Sequence, residues 1–186
     1  NAGGRRLDHE AFALDFTIGH TWREAFGSPR LQMGYDFGSG DSNPADGRNQ
    51  TFELLLGTNH RLYGLMDLMG LRNMHIPRFG GAIQPLKNLT LSLEWLGFLL
   101  ADTSDFFYPE TGAGRSRNGY GRNPGFSSHV GHELDLLLTW RAASRANVQA
   151  GYGHFFAGDY IRQSARAGGR SAEDADWLYL QATFSF

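Results

Sequence analysis

The sequence predicts an all-β fold, an antiparallel transmembrane β-barrel of outer-membrane type. Three observations support this prediction. Apolar and polar residues alternate along seven segments, which is the pattern of strands with one apolar face. The connections between these segments are alternately short and long, as in barrels with tight periplasmic turns and long extracellular loops. The last segment, 177–186, alternates to its end and finishes on an aromatic residue.

The composition is compatible with this fold and excludes several others. No run of about 18 apolar residues is present, so a transmembrane helix is not expected. A mean hydropathy of −0.39 fits strands that alternate apolar and polar residues. The 186 residues contain no cysteine, which excludes a disulfide framework or a thiolate metal site. The formal charge of −2 gives no support for a nucleic-acid partner.

Strict alternation predicts six of the strands. They are 12–19, 31–38, 89–95, 133–140, 148–156 and 177–186. A weaker strand is predicted at 74–84, where Pro77, Gly80 and Gly81 loosen the pattern. The apolar run at 50–57 is an alternative eighth strand.

The connections follow from these strands. Short turns are predicted at 23–29, 85–88 and 142–146, and long connections at 39–73, 103–128 and 162–175. This order places Trp22 and Trp140 at the periplasmic interface, where aromatic side chains collect. Within the first long connection, 60–71 predicts a short helix with Leu62, Leu65, Met66 and Met69 on one face. We expect this helix to pack without specific chemistry, with a constriction in the barrel mouth as the alternative.

The number of strands predicts an incomplete barrel. Single-chain bacterial barrels have an even number of strands, and a barrel of about eight strands is filled by its own side chains. No signal peptide is recognisable, although such a protein needs one. We therefore interpret residues 1–186 as one β-barrel domain, the C-terminal part of a larger barrel.

Four segments resemble the alginate export porin family. They are 58–68 with Asn73 following, 86–91 continuing to 100–102, 131–136 and 151–161. The resemblance covers residues 50–186, and segment 177–186 also resembles the C-terminal strand that the barrel-assembly machinery reads in outer-membrane proteins generally. The resemblance to the alginate export porins implies a monomeric barrel of roughly 18 strands, located in the bacterial outer membrane and in contact with its lipid. It further implies passive export of an anionic polysaccharide such as alginate through an arginine-lined pore, without a cofactor.

The residues themselves agree with that pore only in part. The polar face of the strands carries Asp15, Asp36 and Glu94 together with Glu133 and Asp135, and an unpaired acidic wall repels a polyuronate. Of the 17 cationic residues, 16 are arginine. Either a high GC content of the genome or a need to recognise carboxylates explains this excess. The arginines cluster elsewhere, with Arg72 and Arg78 beside the predicted helix and three more in the second long connection, Arg115, Arg117 and Arg122. They either reach into the lumen and pair with these carboxylates or face solvent.

These arguments give a set of candidate substrate-binding residues and no catalytic ones. The set is Arg72, Arg78, Arg115, Arg117, Arg122, Arg141, Asn59, His60, Asp67, Glu133 and Asp135. Glu133 and Asp135 share one face, as i and i+2 do in a strand, and pairing with arginine is favoured over glycoside hydrolysis. His129 and His132, three residues apart, are expected on opposite faces and so form no metal site.

Three alternative functions remain at this point. A general or small-solute porin also suits an acidic wall. A barrel-bound enzyme such as a lipase or deacylase requires a nucleophile and a base in hydrogen-bonding contact. A soluble carbohydrate-binding β-sandwich requires the apolar faces to be buried against each other.

Overall fold

The computed structural model describes residues 7–54, 63–110 and 113–186. One antiparallel sheet of seven strands dominates it. In spatial order the strands are β2 (Ala13–Thr21), β3 (Arg30–Gly38), β5 (Met74–Leu86), β6 (Leu89–Leu100), β7 (His129–Ala143), β8 (Ala146–Ala157) and β9 (Ala175–Phe184). Two short strands, β1 (Asp8–His9) and β4 (Arg48–Asn49), form a separate parallel pair. The all-β fold and the partial barrel are confirmed.

Each strand of the large sheet pairs with the next one along the chain, so the sheet is an up-and-down meander with β2 and β9 at its edges. The connections at one end of the sheet are short, at 22–29, 87–88 and 144–145. Those at the other end are long, at 39–73, 101–128 and 158–174. The predicted alternation of short and long connections is therefore confirmed, and Trp22 and Trp140 lie at the short-connection end. Residues 50–54 of the alternative eighth strand form no strand, and 55–57 lie outside the described residues.

A short helix is present in a long connection, but in the third rather than the first. Helix α1 (Asp159–Ala167) buries Tyr160, Ser164 and Ala165. The helix predicted at 60–71 is wrong for 63–71, which form turns and an isolated bridge, and 60–62 lie outside the described residues. Left-handed backbone at Gly64 (φ +100°) and Asp67 (φ +53°) interrupts a right-handed helix there.

Apolar side chains form a core at the long-connection end of the sheet. Buried residues from β5–β8 pack there against residues of all three long connections. The cluster is Tyr63, Met69, Leu71, Met74, Ile76, Leu96, Phe98, Leu100, Phe107, Val130, Phe155, Ala157 and Tyr160. The connections are thus folded over one end of the sheet as a cap.

Two buried polar residues join the strands and connections of this cap. The Asn73 side chain donates to the carbonyls of Asp102 (2.8 Å) and Phe106 (3.0 Å) and accepts from the Asp102 amide (2.7 Å). The Asp105 carboxylate accepts from the Thr51 hydroxyl (2.6 Å) and from a backbone amide of the first connection. Every one of these bonds is buried or half-buried, so the first two connections are fixed to each other.

The two faces of the sheet differ in polarity, as the alternation predicts. One face, here called the outer face, exposes large apolar side chains. They include Leu14, Phe16, Ile18, Leu31, Met33, Phe79, Leu93, Trp95, Leu134, Leu136, Trp140, Leu178, Leu180 and Phe184. Since these side chains are exposed and not packed on a second sheet, the described part of the chain does not have the interior of a sandwich. In the same part of the chain, no helix is long and apolar enough to span a membrane.

Candidate functional site

The opposite, inner face of the sheet carries the polar and charged side chains. Strand pairing places Asp15 opposite Asp36 and Glu94 opposite Asp135. Arg78 lies opposite Gly34 on the strand beside Asp36. The strands therefore bring together residues that are far apart in sequence on one wall.

Arg78 is the centre of an ion-pair cluster on this wall. Its guanidinium contacts Asp36 through Nε (2.6 Å) and Nη2 (3.0 Å), Asp15 at 3.4 Å and Glu94 at 3.9 Å. A Cβ at Gly34 would lie 3.1 Å from the guanidinium carbon, so the glycine gives Arg78 room to lie across the strand. Asp15 and Asp36 repel each other across the strand pair, and the guanidinium between them offsets that repulsion.

Glu133 and Asp135 have different partners from those expected. The sequence favours pairing with arginine, yet both carboxylates accept backbone N–H groups of the first long connection. The Leu65 amide donates to Asp135 Oδ2 at 2.9 Å, and the Met66 amide donates to Glu133 Oε1 at 3.0 Å. Backbone amides carry no net charge, but here they satisfy one oxygen of each buried carboxylate through a hydrogen bond.

A cavity of about 170 Å³ lies on the inner face beside these groups. Its lining includes Arg30, Gln32, Leu65, Glu94 and Asp135. Arg30 is absent from the predicted set, although its spacing of two from Gln32 indicates the same face. Its guanidinium donates to Gln32 (3.2 Å) and to a threonine hydroxyl on the neighbouring strand (3.3 Å). The cavity is thus bordered by one cation and two carboxylates.

Arginines of the long connections stack on aromatic rings. Arg115 lies over Phe107 (5.5 Å to the ring centroid) and Tyr120 (5.0 Å). Arg122 lies over Phe106 at 4.5 Å. Among the described residues neither arginine has a carboxylate within 4.0 Å, and both are exposed. Their N–H groups therefore face solvent at the long-connection end, with the guanidinium planes held by cation–π contacts.

Arg72 also stacks on an aromatic ring, that of Tyr108, at 6.0 Å. The Tyr108 hydroxyl donates to the buried carboxylate Asp105 at 2.9 Å. Burial raises the pKa of Tyr108 far above its ordinary value, and the negative charge of Asp105 adds to the effect. This tyrosine therefore stays neutral and serves as a fixed donor and ring platform in the cap.

The remaining predicted residues are not brought together with these groups. Arg117 is exposed in the second long connection, and Arg141 is exposed at the opposite, short-connection end of the sheet. Asp67 lies in the first long connection, in the left-handed backbone described above. Asn59 and His60 lie outside the described residues. The predicted set therefore divides into an inner-wall group, a group in the cap and one residue at the far end.

The expectation that His129 and His132 lie on opposite faces is wrong. Their rings stack 6.2 Å apart on the outer face, beside Trp95. A bulge shifts the register of β6 and β7 at this point, and Gly131 adopts φ +155° there. Within the described ranges, no group of three or more His, Cys, Asp or Glu side chains is arranged to hold a metal ion.

Comparison with known proteins gives one family. The family model for alginate export matches residues 4–175, nearly the whole chain. The search of curated proteins gives no match. The family consists of outer-membrane β-barrel porins for polysaccharide transport, which agrees with the open antiparallel sheet, its apolar outer face and its charged inner wall. On this match and this fold, the chain belongs to the alginate export family.

Proposed function

We propose that the chain is part of a passive outer-membrane channel for an anionic polysaccharide such as alginate. This proposal rests on a difference between the inner wall and the cap in how their charged side chains are paired. The inner-wall carboxylates near the cap have donors within the protein, whereas Arg115 and Arg122 present guanidinium groups with no carboxylate within 4.0 Å among the described residues. A polyuronate supplies the carboxylates that these guanidinium groups lack.

The chemistry of such a channel requires no covalent step and no cofactor. A polar inner wall removes the hydrocarbon barrier to a hydrophilic chain. Each arginine offers paired N–H donors to a carboxylate, and several weak contacts let a long polymer advance without being trapped at any one of them. The compensated carboxylates of the wall reduce the repulsion that an unpaired acidic surface would exert.

The second candidate is a general porin for small solutes. It is favoured by the cluster around Arg78, where one guanidinium lies among three carboxylates and leaves a local excess of negative charge. Such a wall attracts cations and does not bind uronates. The two candidates therefore differ in ion selectivity and in their response to acidic sugars.

Single-channel conductance of the full-length protein in planar bilayers tests the proposal. We expect anion-selective current that mannuronate oligomers block and that neutral sugar oligomers of the same length do not. The double variant Arg115→Ala/Arg122→Ala should weaken the block by uronates by up to about tenfold, because two exposed ion pairs of up to about 1 kcal/mol each are lost. Arg166→Ala, which removes an exposed arginine of α1, is the matched control. Cation-selective current that neither sugar blocks would support the small-solute porin instead.

The assembly and surroundings of the protein are part of the same proposal. The exposed apolar side chains of the outer face would contact membrane lipid, with the long connections outside the cell and the short ones in the periplasm. Residues 177–186 would be a strand read by the barrel-assembly machinery, and the chain would form part of one larger, monomeric barrel. Heat-modifiable migration of the full-length protein after insertion into vesicles, with and without Phe186, measures the assembly step.

A further inference from the structure

A segment of the first long connection, Gly64–Met66, lies directly against the inner face of β7 and β8. Two consecutive backbone amides bind it to the wall. Leu65 donates to Asp135 at 2.9 Å and Met66 donates to Glu133 at 3.0 Å. Both carboxylates are buried, with 4% of Asp135 and 0% of Glu133 exposed. The segment covers both acceptors almost completely, so their hydrogen bonds go to the segment, although Asp135 also borders the cavity of the inner face.

Glycines on both sides allow this close approach. A Cβ at Gly64 would lie 2.5 Å from Glu133 Oε1, and the backbone φ of +100° there is one that other residues rarely adopt. On the wall, a Cβ at Gly153 would lie 2.7 Å from Cγ of Met66. The segment therefore lies closer to the strands than side chains would otherwise permit. Any larger residue at either glycine would push it away from the wall.

The segment also borders the open space of the inner face. Leu65 lines the cavity of about 170 Å³ together with Arg30 and Glu94. A segment that left the wall here would enter the space through which a solute passes. The two amides and the two carboxylates would then exchange their hydrogen bonds to each other for hydrogen bonds to water. The free-energy cost of this exchange opposes the displacement.

We propose that Glu133 and Asp135 are positioning residues that hold segment 64–66 back against the wall and so keep the lumen open. This inference rests on the proposed channel function. The carboxylates act through the segment and not by direct contact with the solute. The role of Glu133 and Asp135 therefore differs from that of Arg115 and Arg122, which we propose to contact the solute directly.

The variants follow from the geometry. Glu133→Ala/Asp135→Ala removes both acceptors from the wall side, and Gly64→Ala displaces the segment from the loop side without altering either acid. Glu133→Gln/Asp135→Asn removes the charges but keeps an oxygen acceptor for each amide. Thr139→Val is the matched control on the same strand, because its hydroxyl accepts from Gln149 (3.3 Å) and not from the segment.

Two measurements on the full-length protein test the proposal. In planar bilayers, we expect the alanine pair and Gly64→Ala to increase the time spent in a reduced-conductance level about tenfold, since both hydrogen bonds that hold the segment are lost or weakened. The amide pair and Thr139→Val should retain the wild-type pattern. In vesicles, Met66→Cys in this cysteine-free chain should react with a water-soluble thiol reagent faster when combined with the alanine pair.

The outcomes separate this inference from the channel function. Unchanged or higher conductance together with an unchanged labelling rate at position 66 would overturn the positioning role. If the amide pair behaves like the alanine pair, charge and not the position of the segment is responsible, and the inference is also overturned. A wild-type protein that forms no channel would refute the proposed function, while the labelling rate would still decide whether the two acids hold the segment.

Discussion

Replacing Arg78 by alanine should destabilise the fold far more than replacing an arginine that pairs with carboxylates at an exposed position. Asp36 is 1% exposed and would lose both contacts to the guanidinium, at 2.6 and 3.0 Å, while Asp15 stays directly opposite. Removing one partner of a buried pair costs about 3–5 kcal/mol. A Coulomb estimate for two charges about 4 Å apart at an effective dielectric constant of about 20 gives about 4 kcal/mol. Glu94 and Asp15 are more exposed and add less.

Arg48 offers a matched control for this experiment. It also contacts two carboxylates, Asp46 at 3.1 Å and Glu10 at 3.3 Å, but its side chain is 48% exposed. Arg48→Ala should therefore leave the free energy of unfolding almost unchanged, because an exposed ion pair is screened by solvent. The assay is urea unfolding of the full-length protein in detergent micelles, followed by tryptophan fluorescence. A double variant, Arg78→Ala/Asp36→Asn, should recover at least half of the loss because no buried charge is left without a partner.

Two results would refute this reasoning. The first is an equal loss of stability for Arg78→Ala and Arg48→Ala, which would show that burial does not determine the strength of the pairs. The second is a double variant no more stable than Arg78→Ala, which would show that the loss does not come from the unpaired Asp36 carboxylate. Either result would remove the argument that the inner-wall acids are compensated.

Three further predictions concern the cap. Gly119→Ala should speed proteolysis of the second long connection, because its Cβ would lie 1.7 Å from the Ser164 carbonyl oxygen at φ +85°; Gly125→Ala, whose Cβ meets nothing within 4 Å, should not. Asn73→Gly keeps the positive φ but removes three buried hydrogen bonds, and should lower the free energy of unfolding by about 2–4 kcal/mol in the urea assay. Burial raises the pKa of Tyr160 to about 12 from 10.0, so the stability that its neutral form contributes is fully present below pH 10 and is lost between pH 10 and 12. In the Tyr160→Phe variant this loss of stability should be absent. Urea midpoints of unfolding, measured at a series of pH values, check the prediction.

The strands were predictable because their signal is local. Alternation of apolar and polar residues needs only the two-residue period of a strand, and each of the seven predicted segments overlaps a strand of the observed sheet. The bulge in β7 was not predicted, since one extra residue near Gly131 reverses which face His129 occupies. The misplaced helix has a similar cause: the apolar spacing of Leu65, Met66 and Met69 suits a helix, but the backbone there follows contacts with the wall.

The candidate site was predictable only where side chains pair with side chains. The alternation placed Asp15, Asp36 and Glu94 on one face and suggested arginine partners, and the structure brings Arg78 to all three. The partners of Glu133 were not predictable, because every residue except proline has a backbone N–H and no residue type marks the one that donates. Such a contact depends on how a distant connection folds over the wall.

The distribution of charge has a consequence for transport. A channel for a long anionic chain needs contacts strong enough to admit the polymer and weak enough to release it. Arg115 and Arg122 lie against aromatic rings that fix each guanidinium plane, while water reaches the N–H groups. An exposed contact of this kind contributes little by itself, so affinity must come from several sugars bound at once. Block by uronates should therefore rise steeply with oligomer length, whereas a single tight site in the lumen would give the same block for short and long oligomers.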